Sequence, residues 1–180
     1  MVRHAESEDN SANTNLDPDR NNEGIGVSRA LDLGSNAVVA NVAAVYVTRY
    51  CRTAQTGQPT ALAYDLPLQV QRFDGSSGGV DNCDPLITAR VELLPPAVDS
   101  SAVLANRVLK EHAGDVVLVV GHSNTIPEIV EALGAPSLCP TFFTSRANGT
   151  CRLPAGEFDN LFVVTVPFGP GDVSVTRQKY

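Results

Sequence analysis

Two histidines and two arginines stand where the chain turns from apolar to polar: Arg3 and His4 in "MVRHAESEDN", Arg52 in "VTRYCRTAQT" and His122 in "VVLVVGHSNT". A neutral imidazole nitrogen is a nucleophile or base near neutral pH, and a guanidinium holds an oxyanion through two parallel N–H bonds. Gathered in one place, these four side chains suit a ligand with several charged oxygens, such as a phosphoryl group. His122 lies on a turn entering a helix, where free backbone N–H groups and the positive end of the helix dipole favour an anion.

Bringing them together requires strands whose ends lie side by side. "DVVLVV" is a continuous apolar run ending at Gly121-His122, followed by a helical pattern from about Pro127 to Leu133. An unbroken apolar strand between helices marks a parallel sheet covered on both faces, and ligands bind such sheets beyond the carboxyl ends of the strands. "AAVYVT" (43–48) predicts a strand ahead of Arg52, and Val2 one ahead of Arg3. Val27, Ala30 and Leu31 are spaced for one buried helical face. Residues 52–66 predict a short helix broken by Gly57 and Pro59, and 101–113 a helix with Val103, Leu104, Val108 and Leu109 on one stripe and Gly114 at its end. "NLFVVTVP" (160–167) and "DVSVTRQ" (172–178) predict two antiparallel closing strands. Residues 73–85, rich in Gly, Ser and Asp, predict a loop long enough for a lid or a substrate loop. The expected fold is an α/β three-layer sandwich with a mostly parallel central sheet, its first strand truncated, in a single domain over residues 1–180.

Bulk properties narrow the function. A net charge of −7 over 180 residues argues against a general nucleic-acid binder, so any phosphate chemistry needs a local basic pocket in an acidic protein. No apolar run approaches a membrane span. The four cysteines lack the close spacing of a zinc site, so no metal and no cofactor is expected. Cys139 and Cys151 flank one loop and could pair in an oxidising compartment, but stay reduced in the cytosol. Localisation is open: cytoplasmic by default, exported if a signal lies upstream.

The motifs resemble the histidine phosphatase superfamily, the phosphoglycerate-mutase-like proteins. Arg3-His4-x-Glu6-Ser7-x-x-Asn10 is similar to the mutase-type form of that family's Arg-His-Gly opening. "VTRYCRTAQT" is similar to its second segment, with the Arg on Arg52 and Arg49 as the fallback. "VVLVVGHSNT" resembles the second-histidine strand, and "FDNLFVVTVP" the late strand. The order is the family's, and the matches touch most of the chain.

The resemblance implies a phosphomonoester hydrolase in which His4 takes the phosphoryl group, while Arg3, Arg52 and His122 hold its oxygens and Asn10 with the backbone amides of Ser123 and Asn124 completes the cradle. Its substrate would be a small phosphorylated molecule or a phosphoprotein. A neutral His4 working with a protonated acid predicts a bell-shaped pH–rate profile. The family's Glu-containing segment after the second Arg has no clear counterpart, which leaves Asp74, Glu92, Asp99 and Glu128 as candidate acids. Glu128 has a competing role in a capping box with Thr125. The family also carries a full apolar strand before its Arg-His, where this chain has Met1 and Val2. Alternatives are a mutase, with Arg72, Arg90 and Arg146 as candidates for a second anion site, and a catalytically dead phosphate-binding module. His112, late in a helix, is expected to be structural.

Overall fold

The computed structural model describes residues 1–7, 16, 25–72, 80, 83, 87, 89–139, 141–169 and 171–180. In chain order the elements are β1 (Val2–Arg3), α1 (Ile25–Ser35), β2 (Val42–Thr48), α2 (Cys51–Ala63), β3 (Leu68–Gln71), β4 (Val91–Leu93), α3 (Ser100–Glu111), β5 (Val116–Gly121), α4 (Thr125–Ala132), β6 (Thr144–Ser145), β7 (Cys151–Arg152), β8 (Asn160–Thr165) and β9 (Ser174–Lys179). Seven strands form one sheet in the order β4-β3-β2-β5-β1-β8-β9, and β6 and β7 form a separate hairpin. From β4 to β1 neighbours run parallel; β8 is antiparallel to β1, and β9 to β8.

The central strands are apolar on successive residues because both faces are covered. On one face, Leu33 of α1 with Ala54 and Ala61 of α2 pack onto Val45, Val47, Leu118 and Val120. On the other, Leu104 and Ala105 of α3 and Ile129 of α4 pack onto Ala44, Tyr46 and Val119. The result is the expected three-layer α/β sandwich, with a first strand only two residues long.

Local expectations fare unevenly. In α1, Ala30 and Leu33 are buried, whereas Val27 and Leu31 are 39% and 56% exposed, so the inward face lies elsewhere than the spacing suggested. In α3, Leu104 is buried but Val103 and Leu109 point outward. Helix α2 is not broken: it runs unbroken from Cys51 to Ala63 with Pro59 inside it. Packing overrides the breakers. A Cβ on Gly57 would come within 3.0 Å of Val45 and Val47, and one on Gly34 within 2.9 Å of Pro59, so the helix is wedged between β2 and α1. The four cysteines are paired, Cys51 with Cys83 and Cys139 with Cys151, at Cα separations of 5.4 and 6.1 Å. The second pair was foreseen only for an oxidising compartment, and the first not at all. Nearly all of the 73–85 loop lies outside the described residues.

Candidate active site

Sheet order decides the site. Strands β2, β5 and β1 are neighbours and parallel, so the turns after them open at one edge of the sheet. β1 ends at Arg3-His4, β2 leads through Arg49-Tyr50 into Cys51-Arg52 at the start of α2, and β5 leads through His122 into α4. A cavity of about 310 Å³ opens there, lined by Arg3, His4, Tyr50, Arg52, His122, Ser123, Asn124 and Thr125.

His4 is 4% exposed. Its Nδ1 lies 2.6 Å from the Ala5 carbonyl oxygen, which can only accept, so Nδ1 carries the proton. The lone pair is then on Nε2, which accepts a 3.1 Å bond from Arg52 Nε. Two independent contacts thus select the same tautomer. Burial first, then His122 and the Arg52 and Arg3 charges, push the His4 imidazolium far below its usual range, against an opposing pull from the Ala5 carbonyl.

His122 is held by its neighbours. Its Nε2 lies 2.8 Å from Thr48 Oγ1, which is itself 2.9 Å from Thr53 Oγ1. Its backbone N–H donates to Thr125 Oγ1 at 2.8 Å, fixing the turn into α4. The Tyr50 ring packs edge-on at 4.7 Å, and the His4 ring at 5.3 Å. Burial, then the charges of Arg52 and Arg3, lower its pKa to about 3.

The guanidinium groups are fixed as planes. Arg52 lies 4.6 Å from the centroid of the Tyr50 ring, and Arg3 lies 3.8 Å over Phe158. Arg3 Nη1 donates to the carbonyls of Pro154 and Glu157 at 3.3 and 3.5 Å. Its buried Nε has no hydrogen-bond partner among the described residues. Two cations beside two neutral imidazoles form a positive, largely preformed cavity.

Of the residues expected from sequence, Arg3, His4, Arg52, His122, Ser123 and Asn124 meet at this cavity, while Asn10 lies outside the described residues. Arg49, the fallback, does not line it and stacks on Tyr50 at 5.2 Å. Tyr50, Thr48 and Thr125 went unrecognised. Tyr50 and Thr48 stand within four residues of Arg52, and Thr125 three after His122, so proximity was the only signal available.

Among the described residues no carboxyl side chain lines the cavity. Glu92 pairs with Arg90, Asp99 caps α3 through the Ala102 N–H, and Asp74 lies outside the described residues. Glu128 accepts from Ser101 Oγ at 3.0 Å and the N-cap residue, Asn124, makes no side-chain capping bond, so the capping box does not form. Arg72, Arg90 and Arg146 are not at the cavity. His112 is structural, its Nε2 2.9 Å from Tyr46 Oη and its Nδ1 3.4 Å from Asp115.

The whole chain superposes on the solved structure of mycobacterial hydrolase 1, covering 100% of this chain and 96% of that one, with a TM-score of 0.56 at 14% identity. The two chains share a fold. The structure assigned as phosphohistidine phosphatase SixA from Nakamurella multipartitia overlaps 78% of this chain and 67% of that one (TM-score 0.44, 24% identity). The ecdysone phosphate phosphatase from Bombix mori, in complex with tungstate, overlaps 73% and 75% (TM-score 0.45, 18% identity). Overlap of that degree adds nothing to the fold assignment. No protein-family model and no curated protein sequence matches the chain.

Proposed function

We propose that the protein is a phosphomonoester hydrolase that works through a phosphohistidine on His4. One observation carries this: a buried imidazole whose Nδ1–H is held by a carbonyl keeps its Nε2 lone pair beside two guanidinium groups and a second neutral imidazole. In the first step Nε2 attacks phosphorus, the bond from phosphorus to the ester oxygen breaks, and the leaving oxygen departs with the electron pair. Arg3, Arg52 and His122 stabilise the charge spread over the transferring oxygens. Water then attacks the phosphorus, the P–N bond breaks, and inorganic phosphate leaves with His4 restored. The two arginines supply positive charge from the chain itself, so this chemistry calls for no metal. The resemblance of the four motifs to the histidine phosphatases supports the same reading.

The absence of a carboxyl group from the cavity among the described residues favours, as a second reading, a module that binds phosphate without turnover. Hydrolysis of an aryl phosphate separates the two, because an aryl oxide leaves readily without an acid. Activity that resists EDTA and disappears in His4→Ala is the expected result. Retained phosphate binding with no hydrolysis by the unaltered chain would select the binding module. Hydrolysis unaffected by His4→Ala would overturn both roles for His4.

A further inference from the structure

What His122 can do depends on which ring nitrogen carries its proton, and the hydroxyls behind it decide that. Short contacts run in a chain from the ring: Nε2 to Thr48 Oγ1 at 2.8 Å, Thr48 Oγ1 to Thr53 Oγ1 at 2.9 Å, and Thr53 Oγ1 to the carbonyls of Tyr50 and Thr48 at 2.7 and 3.0 Å. Each hydroxyl has one proton, and a carbonyl oxygen only accepts. Thr53 therefore donates to Tyr50, the nearer of its two carbonyls. Thr48 is then the donor to Thr53, and its lone pairs accept from the Tyr50 N–H at 3.5 Å and from His122 Nε2. The opposite tautomer would direct the Thr48 proton at Nε2, leaving either the hydroxyl pair or the 2.7 Å carbonyl contact with no proton between its oxygens. His122 is the Nε2–H tautomer.

The consequence falls on the other side of the ring. Nδ1 makes no hydrogen bond among the described residues, and the ring lines the phosphate cavity, so a bare lone pair is open to the ligand. Against a fully ionised phosphoryl oxygen this is lone pair on lone pair, which repels. One proton between the two atoms makes it a charge-assisted hydrogen bond. Among the described residues the neighbouring groups do not supply that proton. Arg3 and Arg52 stay charged, His4 Nε2 accepts from Arg52, Tyr50 turns its ring to His122, and Glu128 of α4 is engaged by Ser101. In the empty site burial, then Arg52 and Arg3, lower His122 to about 3, so near neutral pH the ring brings no second proton of its own. The proton arrives with the ligand.

We propose that His122 is a proton acceptor that selects a phosphomonoester in its singly charged form, with the P–OH proton lying between a phosphoryl oxygen and Nδ1. The inference rests on the phosphoryl reading of the cavity and extends it by assigning the acid. No carboxyl side chain among the described residues lines the cavity, and the shared proton does that work. As His4 Nε2 bonds to phosphorus, the bond to the ester oxygen breaks with its electron pair on that oxygen, and the proton moves onto it. A neutral alcohol departs, a dianionic phosphoryl group stays on a His4 imidazolium, and the total charge is unchanged. A free phosphomonoester gives up this proton with a pKa of about 6, so the site favours mildly acidic conditions.

Inorganic phosphate is the probe, titrated calorimetrically into the full chain between about pH 5.5 and about pH 8.5 in buffers of different ionisation heat. Above the second ionisation of phosphate the affinity should fall by about tenfold per pH unit, with uptake of about one proton per phosphate bound. His122→Asn, whose carboxamide donates its own N–H, should lose both the alkaline decline and the uptake; His122→Gln serves if that variant does not fold. His4→Asn should keep both. An unaltered chain that binds no phosphate would overturn the phosphoryl reading and this inference together. Binding without proton uptake, a flat affinity on the alkaline side, an undiminished decline in the His122 variant, or its loss in His4→Asn would overturn the role of His122 and leave the phosphoryl reading standing.

Discussion

The two histidines of the candidate site, His4 and His122, share one property that bears on stability and on the proposed chemistry alike, their neutrality. Unfolded imidazoles titrate near 6.5, and the folded values lie below that, at about 3 for His122 and lower still for His4. Above pH 6.5 both states are neutral and the stability is fully present. As pH falls below 6.5 the unfolded chain takes up protons that the folded chain refuses, so stability declines until the folded values are reached. The slope is at most about 1.4 kcal/mol per pH unit for each histidine. Denaturant unfolding at pH 7 and pH 5 should show this loss, and His122→Asn should reduce it; an equal loss in the variant would mean that His122 titrates normally when folded. The same depression removes the acidic limb that a free histidine would give the rate, so protonation of His4 should not lower kcat/KM between pH 7 and 5. Thr48 gives a second test at this scale. Thr48→Val keeps the shape but leaves His122 Nε2 without its 2.8 Å partner, an unsatisfied buried group worth about 1–3 kcal/mol. Aryl phosphate turnover should fall about tenfold or more and recover in Thr48→Ser; equal activity in Thr48→Val would show that the hydroxyl does not position His122.

What α2 demands is visible at Gly57. An added Cβ would press on Val45 and Val47 of β2 at 3.0 Å, and both are buried core side chains that cannot swing away. Gly57→Ala, favourable by helix propensity alone, should therefore destabilise the protein by about 1–3 kcal/mol, and raise KM because Arg52 rides on the same helix. An unfolding midpoint at or above that of the unaltered chain would refute the wedge. This is also where sequence reading reached its limit. Gly57 and Pro59 look like breakers because propensity is local, whereas the close approach of β2 and α1 that holds the helix together is not. The buried face of α1 failed for a related reason: Val27 and Leu31 have the right spacing, but only tertiary packing chooses between neighbouring stripes. β5 and β8 were legible because strands covered on both faces carry unbroken apolar runs. The candidate site was legible as a meeting place of Arg3, His4, Arg52 and His122, whose residue types stand at strand ends. It was not legible at Tyr50 and Thr48, which act on Arg52 and His122 through packing and one hydrogen bond.

Across the whole molecule, the cysteines bind regions that the sheet does not. Cys51 begins α2 one residue before Arg52, and its bridge to Cys83 closes a loop across a sequence separation of 32 residues. Cys139 and Cys151, 12 residues apart, close the segment that holds the β6–β7 hairpin. Sequence spacing suggested only the second pair because closeness in sequence is all it can register, whereas Cys51 and Cys83 meet through the fold. Cross-links chiefly restrict the unfolded chain, and chain-entropy reasoning gives each of these about 3–4 kcal/mol, somewhat more for the longer loop. For a chain of this size each kcal/mol moves the thermal midpoint by about 2–4 °C. Dithiothreitol should therefore lower the midpoint by about 10 °C or more, and the pair Cys51→Ser with Cys83→Ser should account for roughly half of that. The double variant carries a second expectation: a higher KM for aryl phosphate, because the residue beside Arg52 has lost its tether, with the pH dependence of stability unchanged. Thiol titration of the oxidised, unfolded chain fixes the interpretation. No free thiol and a reductant-sensitive midpoint support the bridges as cross-links, whereas four free thiols and a midpoint indifferent to reductant would show that the cysteines stay reduced and that the loop is held by packing alone.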